Sequence, residues 1–206
     1  MAASDFLTLA RWRRATAEMY MTIRREKDPS QAWQHFITAR NQLFKTDPQS
    51  PLTAEQRTTF QHLAYFPYDP AFRVMGQIEY DVEPEEYTIE LSADGLLRYK
   101  RVAIAHFDLN QQATQLSLFW LQGYGGGLFL PFKDATSKKE TFSGGRYLYD
   151  TIKGADLGVN RDEIILDFNF AYNPSCAYNS SWVCPLSPLE NSLPQAIMAG
   201  EKCFNE

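Results

Sequence analysis

Cysteine and histidine are scarce in this chain. Cys176, Cys184 and Cys203 are its three cysteines, an odd number that does not resemble a secreted disulfide framework. Seven residues separate Cys176 from Cys184, a spacing that fits no zinc knuckle. The three histidines, His35, His62 and His106, are scattered, so no histidine metal cluster is expected and no metal site is assigned. Long apolar runs are lacking too. Even Leu116–Leu121 is short and flanked by polar residues, far from the roughly eighteen apolar residues that a membrane span needs. The start of the chain shows no positive segment followed by an apolar run, so a secretory signal is not expected. A cytoplasmic location is the expectation. Basic residues are in deficit: 20 against 25 acids give a net charge of −5, which argues against a broad nucleic-acid surface. No Gly-Lys-Ser/Thr follows Gly144-Gly145, so there is no P-loop. Gly123-Tyr-Gly125-Gly-Gly127 precedes strand-like sequence and reads as a hairpin loop, not as a dinucleotide fingerprint. No motif implies a cofactor.

What is present is an ordinary globular composition with many rings. Hydrophobic residues make up 44% and charged residues 22% of 206 positions, enough for a core without disulfide or metal. Aromatic residues reach 14%, which favours strands and a ring-rich interior. Residues 4–26 read as an amphipathic helix with Phe6, Leu9, Trp12, Met19, Tyr20 and Ile23 on one stripe and arginines mostly elsewhere. Asp28-Pro29-Ser30-Gln31 reads as the start of a second helix, with Asp28 as N-cap. That helix carries Trp33, Phe36, Ile37 and Phe44 on one face and ends before Asp47-Pro48. Thr53-x-x-Gln56 has capping-box spacing and predicts a short third helix.

The character changes at Tyr65-Phe66-Pro67-Tyr68-Asp69-Pro70, where two prolines force extended backbone. Strands are predicted over 72–81, 86–91, 96–109 and 115–121, with a turn at Ser92-Ala93-Asp94-Gly95. The acidic run from Glu79 to Asp94 reads as a solvated edge, with a basic-partner site as the alternative. The predicted fold class is α+β: N-terminal helices, residues 1–65, packed on a mainly antiparallel, barrel- or sandwich-like sheet, residues 66–206, in one folding unit.

The second half concentrates polar residues in turns beside rings. Arg146, after two glycines, suits a carboxylate or phosphate, or else it pairs with Asp134 or Asp167. Asp134-x-Thr136 reads as a cation or hydroxyl binder, or as a turn that satisfies itself. Asp167 and Asn169, two apart in a predicted strand, share one face, with Phe168 and Phe170 on the other. Cys176, in Asn173-Pro-x-Cys176-Ala, is the candidate nucleophile, with burial as a small hydrophobe as the alternative. Ser187-Pro188-x-Glu190 has capping-box spacing, and Glu201 is either a terminal acid or a cavity carboxylate.

Several of these segments together carry a family resemblance. They are Tyr65-Phe-Pro with Arg73, Pro131-Phe-x-Asp134-x-Thr136, and Gly144-Gly-Arg146-Tyr. Asp167-Phe-Asn169-x-x-Tyr172-Asn-Pro-x-Cys176-Ala-Tyr178, Cys184-Pro185, Glu190-Asn191 and Ala199-Gly-Glu201 complete the set. From about residue 50 to the end the chain resembles domain-of-unknown-function family 1684, and that resemblance carries over no established activity. The expected function is recognition of a small polar or anionic molecule. Its binding groups would be Arg73, Arg146, Asp167, Asn169, Tyr172, Asn173 and Thr136, and Phe132, Phe142, Tyr147, Tyr172 and Tyr178 would form the walls. If chemistry follows, hydrolysis or group transfer would use Cys176, Asp134 or Glu190. The alternative is a non-catalytic structural or protein-interaction module. Neither nucleic acid nor membrane is an expected partner, and a homo-oligomer stays open.

Overall fold

The computed structural model describes residues 3–91 and 95–204. The chain opens with helix α1 (Ala3–Arg25), α2 (Pro29–Thr46) and the single-turn α3 (Ala54–Thr59). The local start signals operate as the sequence predicts. Asp28 accepts the backbone N–H groups of Ser30 and Gln31, and Pro29 occupies the first turn of α2. Thr53 and Gln56 exchange both capping-box hydrogen bonds. Arg11, Arg13, Arg14, Arg24 and Arg25 lie exposed on α1, while Met19, Tyr20 and Ile23 are buried against the sheet.

Seven strands among the described residues form one antiparallel sheet: β1 (Arg73–Glu79), β2 (Glu86–Leu91), β3 (Gly95–Leu109), β4 (Gln112–Leu121), β5 (Gly127–Phe132), β6 (Arg146–Asp150) and β7 (Glu163–Asp167). The order is β6-β5-β4-β3-β1-β7, with β2 also paired to β3. The long β3 makes this arrangement workable. Its first half pairs with β2, from Glu86↔Lys100 to Leu91↔Gly95, and its second half with β1, from Gln77↔His106 to Glu79↔Ile104. A register shift between Arg101 and Ala103 and another between Leu130 and Pro131 bend the sheet. The result is a curled half-barrel with the helices packed on it. This is the α+β arrangement that the sequence predicts.

β4 is buried on both faces over Leu116–Phe119. Leu116 and Leu118 join the main core with Trp33 and Phe36 of α2 and with Ile164 and Leu166 of β7. Phe119 and Leu121, on alternate positions, join Tyr99, Phe129 and Tyr147 in a second cluster. A third cluster, Phe44, Leu52, Phe60, Leu63 and Tyr178, ties the helices to the C-terminal segments. The acids Glu79, Asp81, Glu83, Glu85, Glu86 and Glu90 are all exposed, as a solvated edge requires.

Three local expectations are corrected. The first predicted strand is shorter, because Asp69 and Pro70 wind residues 70–72 into a 3-10 turn before β1. Asp167 and Asn169 do not share a strand face. Asp167 ends β7 and caps a 3-10 turn over Phe168–Phe170, accepting the Asn169 N–H at 3.1 Å, and all three turn residues are buried. Glu190 is not a capping partner of Ser187, since the 3-10 turn Leu189–Asn191 has no side-chain cap. The turn expected at Ser92-Ala93-Asp94 lies outside the described residues.

Candidate functional site

A cavity of about 360 Å³ lies between α1, α2, the sheet and the segment 172–185. One face of α1 supplies Leu9, Trp12, Arg13, Thr16 and Tyr20, at positions i, i+3, i+4, i+7 and i+11, the repeat of one broad helix face. α2 adds Arg40 and Phe44, the sheet adds Leu121, Phe129 and Tyr147, and the C-terminal segment adds Tyr172, Asn173, Tyr178 and Cys184. Its volume falls within the range typical of small-molecule sites.

The polar groups of this cavity divide into satisfied and unsatisfied ones. Arg40 is satisfied. Its guanidinium donates to Tyr65 Oη at 2.9 Å, Tyr178 Oη at 3.3 Å and Glu201 Oε2 at 2.9 Å. It also lies over the rings of Phe44 and Tyr172, at 5.0 Å from each centroid. Burial works against this charge, but the oxygens of Tyr65, Glu201 and Tyr178 outweigh it and raise the Arg40 pKa. Glu201 accepts from the Tyr178 hydroxyl and from the Asn173 N–H, and burial pushes its carboxyl above the usual range. At the rim, Lys153 pairs with Asp150 at 3.3 Å. Two buried atoms on cavity-lining side chains have no hydrogen-bond partner: the hydroxyl of Tyr20 and Oδ1 of Asn173. The Asn173 amide nitrogen is engaged with the Lys202 carbonyl at 2.7 Å, which fixes the orphaned oxygen in place.

Of the residues singled out from sequence, Tyr172 and Asn173, with the wall residues Tyr147 and Tyr178, line this cavity. Arg146, Asp134 and Thr136 form a separate buried knot. Arg146 pairs with Asp134 at 2.8 Å, donates to the carbonyls of Ile197, Ala199 and Glu201, and stacks on Phe132. Asp134 also takes the Thr136 N–H at 2.8 Å and its hydroxyl at 2.5 Å. Gly145 admits this packing, because at φ +92° a Cβ would come within 2.5 Å of the Phe132 carbonyl.

Arg73 and Asp167 line a second, smaller cavity of about 210 Å³ beside Arg24 and Gly158. They lie 3.4 Å apart, and burial raises the Asp167 carboxyl to about 6 against the pull of Asn169 and Arg73. Asn169 spends its side chain on Asp69 and Asp167. Glu190 sits across the sheet, receiving Tyr87, Arg101 at 2.7 Å and Ser117 at 2.5 Å. Phe132 lies in the main core and Phe142 is half-buried against Gly144. The expected convergence in one cavity is therefore replaced by four separate places. Among the described residues no group of three or more His, Cys, Asp or Glu is placed to hold a metal ion, and no helix is long and apolar enough to cross a membrane.

Sequence reasoning missed Arg40, Tyr20 as a polar group, and Lys153. Arg40 had a signal: it stands four residues from both Phe36 and Phe44, a lone cation inside an aromatic stripe.

No curated protein matches the chain. Residues 58–202 match the family described as Protein of unknown function (DUF1684). A solved structure similar to this one is the solution NMR structure of an uncharacterized protein of Haloarcula marismortui. It is 38% identical and has a TM-score of 0.61, covering 82% of this chain and 91% of its own. The match spans well over half of the sequence, and the chain belongs to the DUF1684 family.

Proposed function

For this DUF1684 protein we propose a ligand-binding role, with the large cavity as the site for a small molecule that has an apolar body and at least one hydrogen-bond donor. The observation that carries this reading is the cavity of about 360 Å³ itself, walled by rings, with the orphaned Tyr20 Oη and Asn173 Oδ1 on two of its lining side chains. Buried polar groups in folded proteins almost always have partners, and a small shift of the Tyr20 side chain would present its hydroxyl to a ligand in the cavity. Trp12, Phe44, Phe129 and Tyr147 offer ring faces for the body of such a ligand. Exposed Arg13 and the Lys153 ammonium at the rim favour a polar or anionic end pointing outward. Arg146, the anion receiver suggested by the sequence, lies outside this cavity with both terminal guanidinium nitrogens engaged and only its buried Nε unpaired, and takes no part.

Catalysis by Asp134 or Glu190 finds less support, because neither carboxylate lines this cavity and both are fully engaged. A second reading, a protein-interaction module, draws on one observation. Trp182, Val183 and Leu186 are each 45% exposed and Leu189 is 90% exposed on one C-terminal loop.

The test is native mass spectrometry of gently purified protein together with thermal shifts against small aromatic and aliphatic alcohols, amines and carboxylates. Tyr20→Phe deletes only an unsatisfied hydroxyl, so the ligand-free protein is expected to melt at the same temperature or higher. Its affinity for a binding compound is expected to fall about fivefold, the worth of one hydrogen bond of about 1 kcal/mol. Thr16→Trp fills the cavity and is expected to abolish the shift. Shifts that survive Thr16→Trp would overturn the reading.

A further inference from the structure

Cys184 and Cys176 meet at the wall of the large cavity. Cys184 lines the cavity, and Cys176 stands beside it in the 3-10 turn Ser175–Ala177. Pro174 and Pro185 flank the two segments and restrict their backbones. The Cys176 N–H donates to the sulfur of Cys184 at 3.4 Å, which sets the two thiols side by side. Both side chains are free thiols and only partly buried. Lys153 lines the same cavity and adds a positive charge. Donors and a cation gathered around one sulfur favour its thiolate. The Cys184 pKa is accordingly pulled down to about 6, first by the Cys176 thiol and then, against burial, by backbone N–H groups and Lys153. The Cys184 sulfur and burial push Cys176 up, so the pair divides into a nucleophile and a proton-holding neighbour. Cys203 lies outside the cavity lining, and burial raises it.

We propose that Cys184 and Cys176 form a hydroperoxide-oxidisable dithiol in the cavity wall, with Cys184 as the nucleophile and Cys176 as the resolving thiol. The Cys184 thiolate attacks the terminal oxygen of a hydroperoxide ROOH. The S–O bond forms, the O–O bond breaks, and the alkoxide leaves as the alcohol ROH after taking a proton from water. Cys184 is now a sulfenic acid. Cys176 loses its proton and attacks the sulfenyl sulfur, forming the S–S bond and breaking S–O, and the departing hydroxide takes that proton and leaves as water. Two thiols are oxidised by two electrons in all, and one hydroperoxide is reduced to alcohol and water. The step draws only on two neighbouring thiols, linked by the Cys176 N–H on the Cys184 sulfur, and does not require the ligand-binding reading to hold.

The experiment uses the reduced full chain and hydrogen peroxide. Intact mass is expected to fall by two hydrogens, and peptide mapping is expected to find the Cys176–Cys184 bond with Cys203 still a thiol. In Cys176→Ser the oxidation is expected to stop at a Cys184 sulfenic acid that dimedone traps, and in Cys184→Ser neither product forms. Alkylation of the wild-type protein by iodoacetamide needs no variant. The Cys184 rate is expected to level off above pH 7, with a midpoint near 6, while the Cys203 rate is still climbing above pH 8. At pH 7 a thiolate fraction about thirtyfold larger, offset roughly ten- to eighteenfold by weaker intrinsic nucleophilicity, leaves Cys184 about two- to threefold faster than an ordinary thiol. An alkylation midpoint for Cys184 above pH 8, or a disulfide that engages Cys203 instead, would overturn the proposal.

Discussion

Asp167 and Glu190 both sit at short 3-10 turns, yet their surroundings move their protons in opposite directions. Burial raises Asp167 to about 6, and the two hydrogen bonds from Asn169 and the charge of Arg73 only partly oppose it. For Glu190 burial also pulls upward, but Ser117, Tyr87 and Arg101 outweigh it and hold the carboxyl below its ordinary value. The consequences for stability have opposite signs. The native state holds the Asp167 proton more tightly than the unfolded chain does. Its contribution is fully present below about pH 4 and is lost as pH rises through 6. Glu190 contributes stability above its unfolded pKa, and that stability is lost as pH falls through its lower folded value. Asp167→Asn isolates the first effect, since the amide keeps the oxygen that accepts from Asn169 and cannot ionise. Between pH 4 and 7 the variant is expected to gain on the wild type by up to about 3 kcal/mol, measured by urea unfolding at a series of pH values. A difference that stays constant across that range would show that Asp167 titrates as an ordinary carboxyl.

At the scale of elements, one amide stands in for a missing stretch of β-ladder. β4 and β5 pair from Phe119↔Phe129 to Leu121↔Gly127 and then part near Pro131, which has no N–H to offer. Asn191 enters that gap. Its Oδ1 accepts the Ser117 N–H at 2.8 Å, and its Nδ2 donates to the carbonyls of Ser117 at 3.0 Å and Pro131 at 2.7 Å. Asn191→Ala leaves these backbone groups buried and unpaired, an expected loss of about 3 kcal/mol in urea unfolding. Asn191→Asp keeps the acceptor but turns a carboxylate oxygen toward two carbonyls, so it is expected to rescue nothing. An Asn191→Asp variant as stable as wild type would refute the ladder-substitute role. The contrast with the helix caps explains what was legible in the sequence. Asp28 and Thr53 act on backbone two or three residues away, so spacing alone reveals them. The strands from Glu86 to Leu121 announce themselves by local pattern in the same way. Glu190 also has capping spacing, but its donors arrive from β2, β3 and β4, and nothing in the local sequence predicts that they win. Arg146 meets Asp134 across a chain reversal, and the two candidate partners named from sequence could be resolved only by the fold. The dispersal of the candidate site has the same origin, since turn residues close in sequence point into different spaces once the sheet curls.

For the molecule as a whole, the joint between helices and sheet is the C-terminal segment around Glu201. Its backbone is stitched on several sides. Phe66 donates to the Gly200 carbonyl, Glu201 to Ala171, Lys202 to Ala64, and the Arg146 guanidinium to Ala199. Gly200 makes the turn at φ +78°, where a Cβ would press within 2.7 Å of the Phe168 carbonyl. The Glu201 carboxylate then reaches Arg40 of α2, so one residue couples the sheet-side framework to the helical lead-in and to the cavity wall. We propose on this basis that residues 1–65 and 66–206 unfold as one cooperative unit. Glu201→Ala strands the Arg40 charge in the interior, where losing one partner of a buried pair costs about 3–5 kcal/mol. For a chain of this size that corresponds to a fall in Tm of roughly 10 °C. Replacing both residues by leucine removes the stranded charge as well, and the double variant is expected to recover more than half of the loss. Helix content by far-ultraviolet circular dichroism and the amide NMR signals of β3 and β4 report on different parts of the fold. In every variant the two transitions are expected to coincide. A helix signal that melts before the strand amides in wild type would separate the lead-in from the sheet, and simple additivity in the double variant would show that Arg40 and Glu201 are not energetically coupled.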